Sequence, residues 1–97
     1  MIDLSTEHLH IIKTILRKRV PGCEVRAYGS RISGTARRYS DLDLSVAGPD
    51  KLDRDTLRLL KEDFENSGLP FRVDVLDWHQ IDERFREVIG KEYELIQ

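Results

Sequence analysis

The stretch GSRISGTARRYSDLDL, from Gly29 to Leu44, joins a turn of small residues to two acids at alternate positions. Gly29 directly follows a predicted strand from Glu24 to Tyr28, and glycine lets the backbone approach another group closely. The residues after it are predicted to begin a short helix, whose free N–H groups favour a bound phosphate. We therefore expect Gly29 and Ser30 to contact a phosphate group, with the Ser30 hydroxyl as a further donor.

Three arginines lie in the same stretch, at positions 31, 37 and 38. Their guanidinium groups could neutralise the charge of a triphosphate. Arg31 is included in the predicted phosphate site, although the pattern itself does not distinguish among the three. The alternative for Arg37 and Arg38 is a solvated surface.

The predicted strand from Asp41 to Val46 carries the two acids on one face and an apolar row on the other. Asp41 and Asp43 are two residues apart, so their side chains leave the strand on the same side, about 7 Å apart at the backbone. Two carboxylates so close repel each other unless a cation lies between them, and Mg²⁺ prefers such oxygen ligands. The alternative, an edge strand with solvated acids, is disfavoured because aspartate is rare inside strands.

A third acid, Asp74, lies in the next predicted strand, from Phe71 to Leu76. If that strand neighbours the first acidic one, Asp74 completes a site for two metal ions about 4 Å apart. Asp74 would then hold the metal on the side of the attacking hydroxyl, and it could take the proton of that hydroxyl. The alternative is a structural ion pair with Arg72 or another basic residue.

Apolar spacing and turn residues predict the order helix, strand, helix, strand, helix, strand, helix. Ser5 is expected to cap the first helix, which ends at Val20-Pro21-Gly22. The third helix is expected over Leu52 to Asn66. The chain is expected to be helical again from about Gln80, and its last part, Phe85 to Gln97, is predicted as a C-terminal helix with spare apolar surface. This order indicates an α/β domain with a small sheet covered by helices.

Composition limits the class of protein. The 97 residues predict one domain, residues 1–97, and the formal charge of −2 argues against direct nucleic-acid binding. The single cysteine, Cys23, excludes an internal disulfide and favours a reduced, cytoplasmic setting. No apolar stretch approaches the length of a membrane span.

The motif Gly29-Ser30, ten residues, Asp41-Leu42-Asp43 resembles the signature of the polymerase-β-like nucleotidyltransferase superfamily. The sequence from Gly29 to Leu44 and the strand from Val73 to Trp78 resemble those of its minimal nucleotidyltransferases. These are the antitoxins of HEPN/minimal-nucleotidyltransferase toxin–antitoxin pairs. The resemblance extends from Val25 to about Tyr93.

That resemblance implies a mixed sheet, ATP as substrate and two Mg²⁺ ions. It assigns Gly29 and Ser30 to the triphosphate, Asp41 and Asp43 to both metals, and Asp74 to the third metal-ligand position. It also implies a partner, a HEPN ribonuclease toxin, that receives AMP on a tyrosine. Two alternatives stay open: an antitoxin that acts by binding alone, and transfer to a small-molecule alcohol. The residues leave the choice between Mg²⁺ and Mn²⁺ open.

Overall fold

A computed structural model describes residues 2–97. A four-residue helix and a one-turn 3-10 helix, Trp78–Gln80, accompany three longer helices and a four-stranded sheet. The elements in chain order are α1 (Thr6–Arg19), β1 (Glu24–Tyr28), α2 (Ser30–Ser33), β2 (Leu42–Ala47), α3 (Arg54–Glu65), β3 (Val73–Asp77), α4 (Glu83–Lys91) and β4 (Glu94–Leu95).

The first helix begins and ends where its sequence signals lie. The Ser5 hydroxyl accepts a hydrogen bond from the N–H of His8 at 3.1 Å, which satisfies one of the free donors of the first turn. Val20 is the C-terminal cap, and Pro21 follows it. The predicted cap and stop are therefore confirmed.

The sheet is mixed, in the order β3-β2-β1-β4. β1 runs antiparallel to both β2 and β4, whereas β2 and β3 are parallel. The register places Tyr28 opposite Asp43, and Asp43 beside Asp74. The mixed sheet implied by the family resemblance is confirmed, and it aligns three strands at the predicted acids.

The two faces of the sheet are covered unequally. One face packs on α1 and α3 through the main core, whose fully buried residues include Ile12, Leu16, Val25, Ala27, Leu42, Leu44, Val46 and Leu60. Arg19 and Asp63 join α1 to α3 through an ion pair of 2.5 Å. On the other face, Phe85 of α4 meets the ring of Tyr28 edge-on at 5.8 Å between ring centroids. This second layer lies on the face that carries Asp43.

The predicted C-terminal helix, Phe85 to Gln97, is wrong in its second half. α4 ends at Lys91, and the chain then returns as β4 along the free edge of β1. The N–H of Ile96 donates to the carbonyl of Val25 at 2.9 Å, and Ile96 is only 7% exposed. Pairing with β1 satisfies backbone groups that a longer helix would have left at an open sheet edge.

Part of the exposed apolar surface predicted for residues 85–97 is present in the structure. Val88, Tyr93 and Leu95 are exposed, whereas Ile89 is fully buried. No helix within residues 2–97 has the length and apolar character to cross a membrane.

Candidate active site

Gly29 lies against the carboxylate of Asp43. The register pairs Tyr28 with Asp43, so the turn after β1 passes directly beside that side chain. Gly29 has φ 82°, ψ −156°, and a Cβ at this position would collide with the Oδ2 atom of Asp43 and lie 3.3 Å from its Cγ. Both the backbone conformation and the lack of space therefore require glycine here.

Ser30 is the first residue of α2, the short helix predicted after the glycine. The carbonyl of Gly29 accepts hydrogen bonds from the N–H groups of Ile32 and Ser33, each at 3.0 Å. Ser30 therefore begins a helical turn directly after the glycine that contacts the Asp43 carboxylate, and the free N–H groups at the start of such a turn favour a bound phosphate. The position of Ser30 agrees with its predicted role, which remains a prediction.

The three predicted acids are brought together by the sheet. Asp43 lies on β2 beside Asp74 of β3, and Asp41 precedes β2 by one residue. Asp41 and Asp74 are exposed, and Asp43 is half-buried between them. Strand β2 begins at Leu42 rather than at Asp41, so Asp41 is carried by the end of the preceding loop.

The electrostatics single out Asp43. Burial raises the pKa of its carboxyl, and the neighbouring charges of Asp74 and Asp41 raise this pKa further. Burial also raises the pKa of the Tyr28 hydroxyl, with smaller contributions from the charges of Asp43 and Asp74. This part of the face therefore carries an excess of negative charge, which a bound cation would relieve.

The donor set fits Mg²⁺ in its chemistry, because the three carboxylates supply only oxygen ligands. Among residues 2–97, however, no three His, Cys, Asp or Glu side chains surround one point as a single metal ion would require. Asp43 instead neighbours each of the other two acids. A row of carboxylates around a central one is compatible with metal ions that take their other ligands from a triphosphate and water.

Arg31 was predicted to belong to the phosphate site, and the structure buries its side chain. Its side chain is 6% exposed, and its three guanidinium nitrogens donate to the carbonyls of Ser40, Asp3 and Arg38 at 3.0, 2.9 and 3.2 Å. Its guanidinium also stacks on the ring of Phe71. These contacts count against a role in phosphate binding, because every guanidinium nitrogen already donates to a carbonyl. Arg31 instead fixes the loop that leads into Asp41.

The other two arginines of the stretch lie at the surface. Arg37 and Arg38 are exposed, and the guanidinium of Arg38 lies over the ring of Tyr39. Both can approach a bound triphosphate or remain solvated, so the two alternatives of the sequence analysis stand.

Sequence reasoning missed the surroundings of the acids. A groove of about 610 Å³ is lined by Asp41, Asp74, Tyr39 and residues of β3 and α3, among them Lys61. Tyr39 is 63% exposed. In the sequence, Tyr39 could have been recognised as an aromatic residue within a polar loop, two positions before the predicted metal ligand Asp41.

Comparison with known proteins agrees with this geometry. Residues 10–97 match the family described as polymerase beta nucleotidyltransferase. The chain is 49% identical over 96 residues to the probable protein adenylyltransferase MntA of Haemophilus influenzae, a match that covers 99% of this chain and 84% of that protein.

Solved structures share the fold. A toxin–antitoxin complex with AMP-PNP has a chain with TM-score 0.77 and 24% identity, matched over 92% of this chain and 72% of that one. A complex of the tri-AMPylated HEPN toxin of Shewanella oneidensis with its MNT antitoxin gives TM-score 0.72 and 20% identity, over 97% and 72% of the two chains. With a glycine turn beside a carboxylate, a second acid in register on the next strand, and a family match over nearly all of its length, this chain belongs to the polymerase β nucleotidyltransferase family and is a nucleotidyltransferase.

Proposed function

We propose that this chain is an antitoxin that transfers AMP from ATP to a tyrosine hydroxyl of a partner HEPN toxin, in a reaction that depends on Mg²⁺. The observation that carries the proposal is the approach of Gly29 to Asp43, with Asp74 in register on the next strand. The 49% identity to a probable protein adenylyltransferase supports AMP as the transferred group. The complexes named above, one with AMP-PNP and one with an AMPylated HEPN toxin, support the nucleotide and the partner.

The residues divide the work by position. The backbone at Gly29 and Ser30 binds the phosphates, and the hydroxyl oxygen of the acceptor attacks the α-phosphorus in line with the leaving pyrophosphate. A new O–P bond forms, and the bond to the bridging oxygen of pyrophosphate breaks. Asp74, which is exposed beside Asp43, takes the proton of the attacking hydroxyl.

Asp41, Asp43 and Asp74 would hold Mg²⁺. When bound, the ions neutralise charge on the phosphates and favour ionisation of the attacking hydroxyl. Burial and the charges of Asp74 and Asp41 raise the pKa of Asp43. None of the three acids belongs to a described side-chain ion pair, so a bound cation would relieve their mutual repulsion, which supports this assignment.

The test is the intact mass of the protein encoded by the adjacent gene after incubation with this chain and Mg-ATP. We expect mass increases of whole AMP units, lost with Asp43→Asn and with EDTA. Peptide mapping should place the AMP on tyrosine. Unchanged partner mass in the presence of a stable complex would overturn catalysis as the mode of neutralisation.

A second function, neutralisation by binding alone, is favoured by the exposed apolar side chains of Val88, Tyr93 and Leu95. These three side chains stay exposed after folding and are therefore available to a protein partner. The double variant Asp41→Asn with Asp43→Asn separates the two functions. Protection of cells by this variant at native expression would assign neutralisation to binding, and loss of protection would assign it to catalysis.

A further inference from the structure

Strand β3 presents an open edge next to the acids. Within residues 2–97 it pairs only with β2. The N–H of Leu42 donates to the carbonyl of Arg72 at 2.9 Å, so Arg72 and Asp74 direct their backbone groups toward β2. The N–H and C=O groups of Val73 and Val75 consequently point away from the sheet. Such an edge is a template for another extended segment.

The groove described above follows this edge. Its lining includes the β3 residues from Arg72 to Val75 together with side chains of α3 and of the loop before β3, namely Lys61, Phe64, Glu65, Leu69, Pro70 and Phe71. Asp41 and Asp74 line the same groove, so it is continuous with the candidate active site. At the far end of β3, the Asp77 carboxylate accepts a hydrogen bond from the N–H of Leu52 at 2.8 Å, which ties another loop there. The accessible part of the edge is therefore the part nearest the acids.

We infer that the acceptor docks as an added strand: an extended segment of a partner protein pairs with the edge of β3 and places its acceptor hydroxyl beside Asp74. The inference rests on the proposed function and specifies how its acceptor is held. Paired strands lie about 4.8 Å apart, and residues directly opposite each other project on the same face. A residue opposite Asp74 therefore points its side chain to the face on which Asp43 and Asp74 lie.

The lining of the groove fits a peptide in particular. The free main-chain groups of Val73 and Val75 match the main chain of another segment, a pairing that needs no particular side chains. Apolar contact is offered by Phe71 and the exposed ring of Tyr39, while Lys61 and Arg72 offset the charge of the acids. A free small-molecule alcohol would leave these main-chain groups without a hydrogen-bond partner. A second copy of this chain, bound at this edge, would cover the acids that line the groove.

The first experiment is backbone amide exchange in the complex with the whole partner protein and a non-hydrolysable ATP analogue. We expect the Val73 and Val75 amides to exchange at least about tenfold more slowly with the partner present, since each gains a hydrogen bond. The Asp74 amide, which already faces β2, serves as the internal reference. Unchanged exchange at Val73 and Val75 would overturn the inference, and so would equal protection in this chain alone at high concentration, which would indicate a second copy at the edge.

The second experiment uses Val73→Pro, with Val73→Ala as the matched control. Val73 is the first residue of β3, and proline is tolerated where the missing N–H faces away from the sheet. We expect Val73→Pro to raise the KM for the partner about tenfold relative to Val73→Ala, because one intermolecular hydrogen bond is lost. The Kd for the ATP analogue and the Tm should match those of the control. An equal KM in the two variants would contradict strand addition.

The two proposals fail in different ways. AMP transfer to the partner without protection of Val73 and Val75 overturns the docking mode and leaves the proposed function standing. Protection of both amides without any AMP transfer overturns the proposed catalysis and supports the docking mode.

Discussion

Gly29 and Asp43 are the pair of residues on which the site depends most directly. We expect Gly29→Ala to reduce AMP transfer at least about a hundredfold, because the new Cβ displaces the Asp43 carboxylate from its place beside Asp74. The backbone strain adds a stability loss of about 1–3 kcal/mol. Activity is measured by partner mass and stability by thermal unfolding.

Gly22 provides the control for that variant. It has φ 82°, as Gly29 does, but among the described residues no heavy atom beyond its chain neighbours lies within 4 Å of the Cβ that alanine would add. Gly22→Ala should therefore lower stability through its backbone and leave transfer unchanged. Equal transfer by both variants would contradict the role given to the contact between Gly29 and Asp43.

Asp43→Asn is expected to stabilise the metal-free chain while it abolishes transfer. The pKa of Asp43 is raised above its ordinary value of 3.8, so the folded state holds this proton more tightly than the unfolded state. The free energy of unfolding of the wild type therefore falls as pH rises from 3.8 through the raised pKa, and the penalty persists at neutral pH. Urea unfolding across acid to neutral pH, without metal, checks this. An Asn variant less stable than the wild type at pH 7 would refute it.

At the scale of single residues, Gly29, Asp43 and Asp74 could be placed from the sequence, because turn chemistry and strand alternation are local. The position of Arg31 could not. Its burial depends on the carbonyl of Asp3, 28 residues away, and on the ring of Phe71. The sequence around Arg31 shows only a basic residue next to a glycine turn, and nothing local indicates that Asp3 and Phe71 will contact it.

Strand β4 makes a prediction at the scale of secondary structure. Ile96→Ala should destabilise the fold by about 3 kcal/mol, because it removes a side chain that is packed in the main core. Leu95→Ala, at an exposed position next to it, should change stability by no more than about 0.5 kcal/mol. Thermal unfolding of the two variants decides the question. Equal losses would contradict the burial of Ile96 and the exposure of Leu95 that the strand produces.

The ion pair between α1 and α3 makes a prediction with the opposite dependence on pH. The hydrogen bond from Arg19 lowers the pKa of Asp63, so the folded state releases this proton more readily than the unfolded state. Its contribution is present above pH 3.8 and is lost as pH falls through the lowered pKa. Asp63→Asn should therefore lower the Tm at neutral pH and flatten the acid side of the stability curve. An unchanged acid side would contradict the pair.

The strands and helices were predictable to differing degrees, for physical reasons. β1 was predicted with its observed bounds, and β2 and α3 were predicted to within two residues, because each carries a clear apolar period. β4 has only two paired residues, Glu94 and Leu95, and no period of its own. It exists because β1 has an edge to be covered, which is a property of the assembled sheet.

At the scale of the whole molecule, the helices on the two faces of the sheet should differ in local stability: α1 and α3 cover one face, and α4 lies on the other. α1 buries Ile12 and Leu16 in the main core, whereas α4 buries only Ile89 and lies on the face of the acids. We expect the amides of α4 to exchange faster than those of α1 by native-state hydrogen exchange, since fewer apolar contacts oppose local opening. Saturation with an ATP analogue and Mg²⁺ should narrow the difference. Uniform protection of both helices would refute it.

The contact between Gly29 and Asp43 has a consequence for descent. A side chain at position 29 is excluded by the acid at position 43, so the first cannot change while the second is still needed. Once a lineage abandons catalysis and loses the acid, the steric half of the constraint disappears, but the backbone half remains, because φ 82° with ψ −156° lies in a region that is essentially restricted to glycine. Inactive descendants should therefore lose the acid at position 43 while they keep the glycine at position 29, and a pseudoenzyme of this lineage would be recognisable by Gly29 without a carboxylate at position 43.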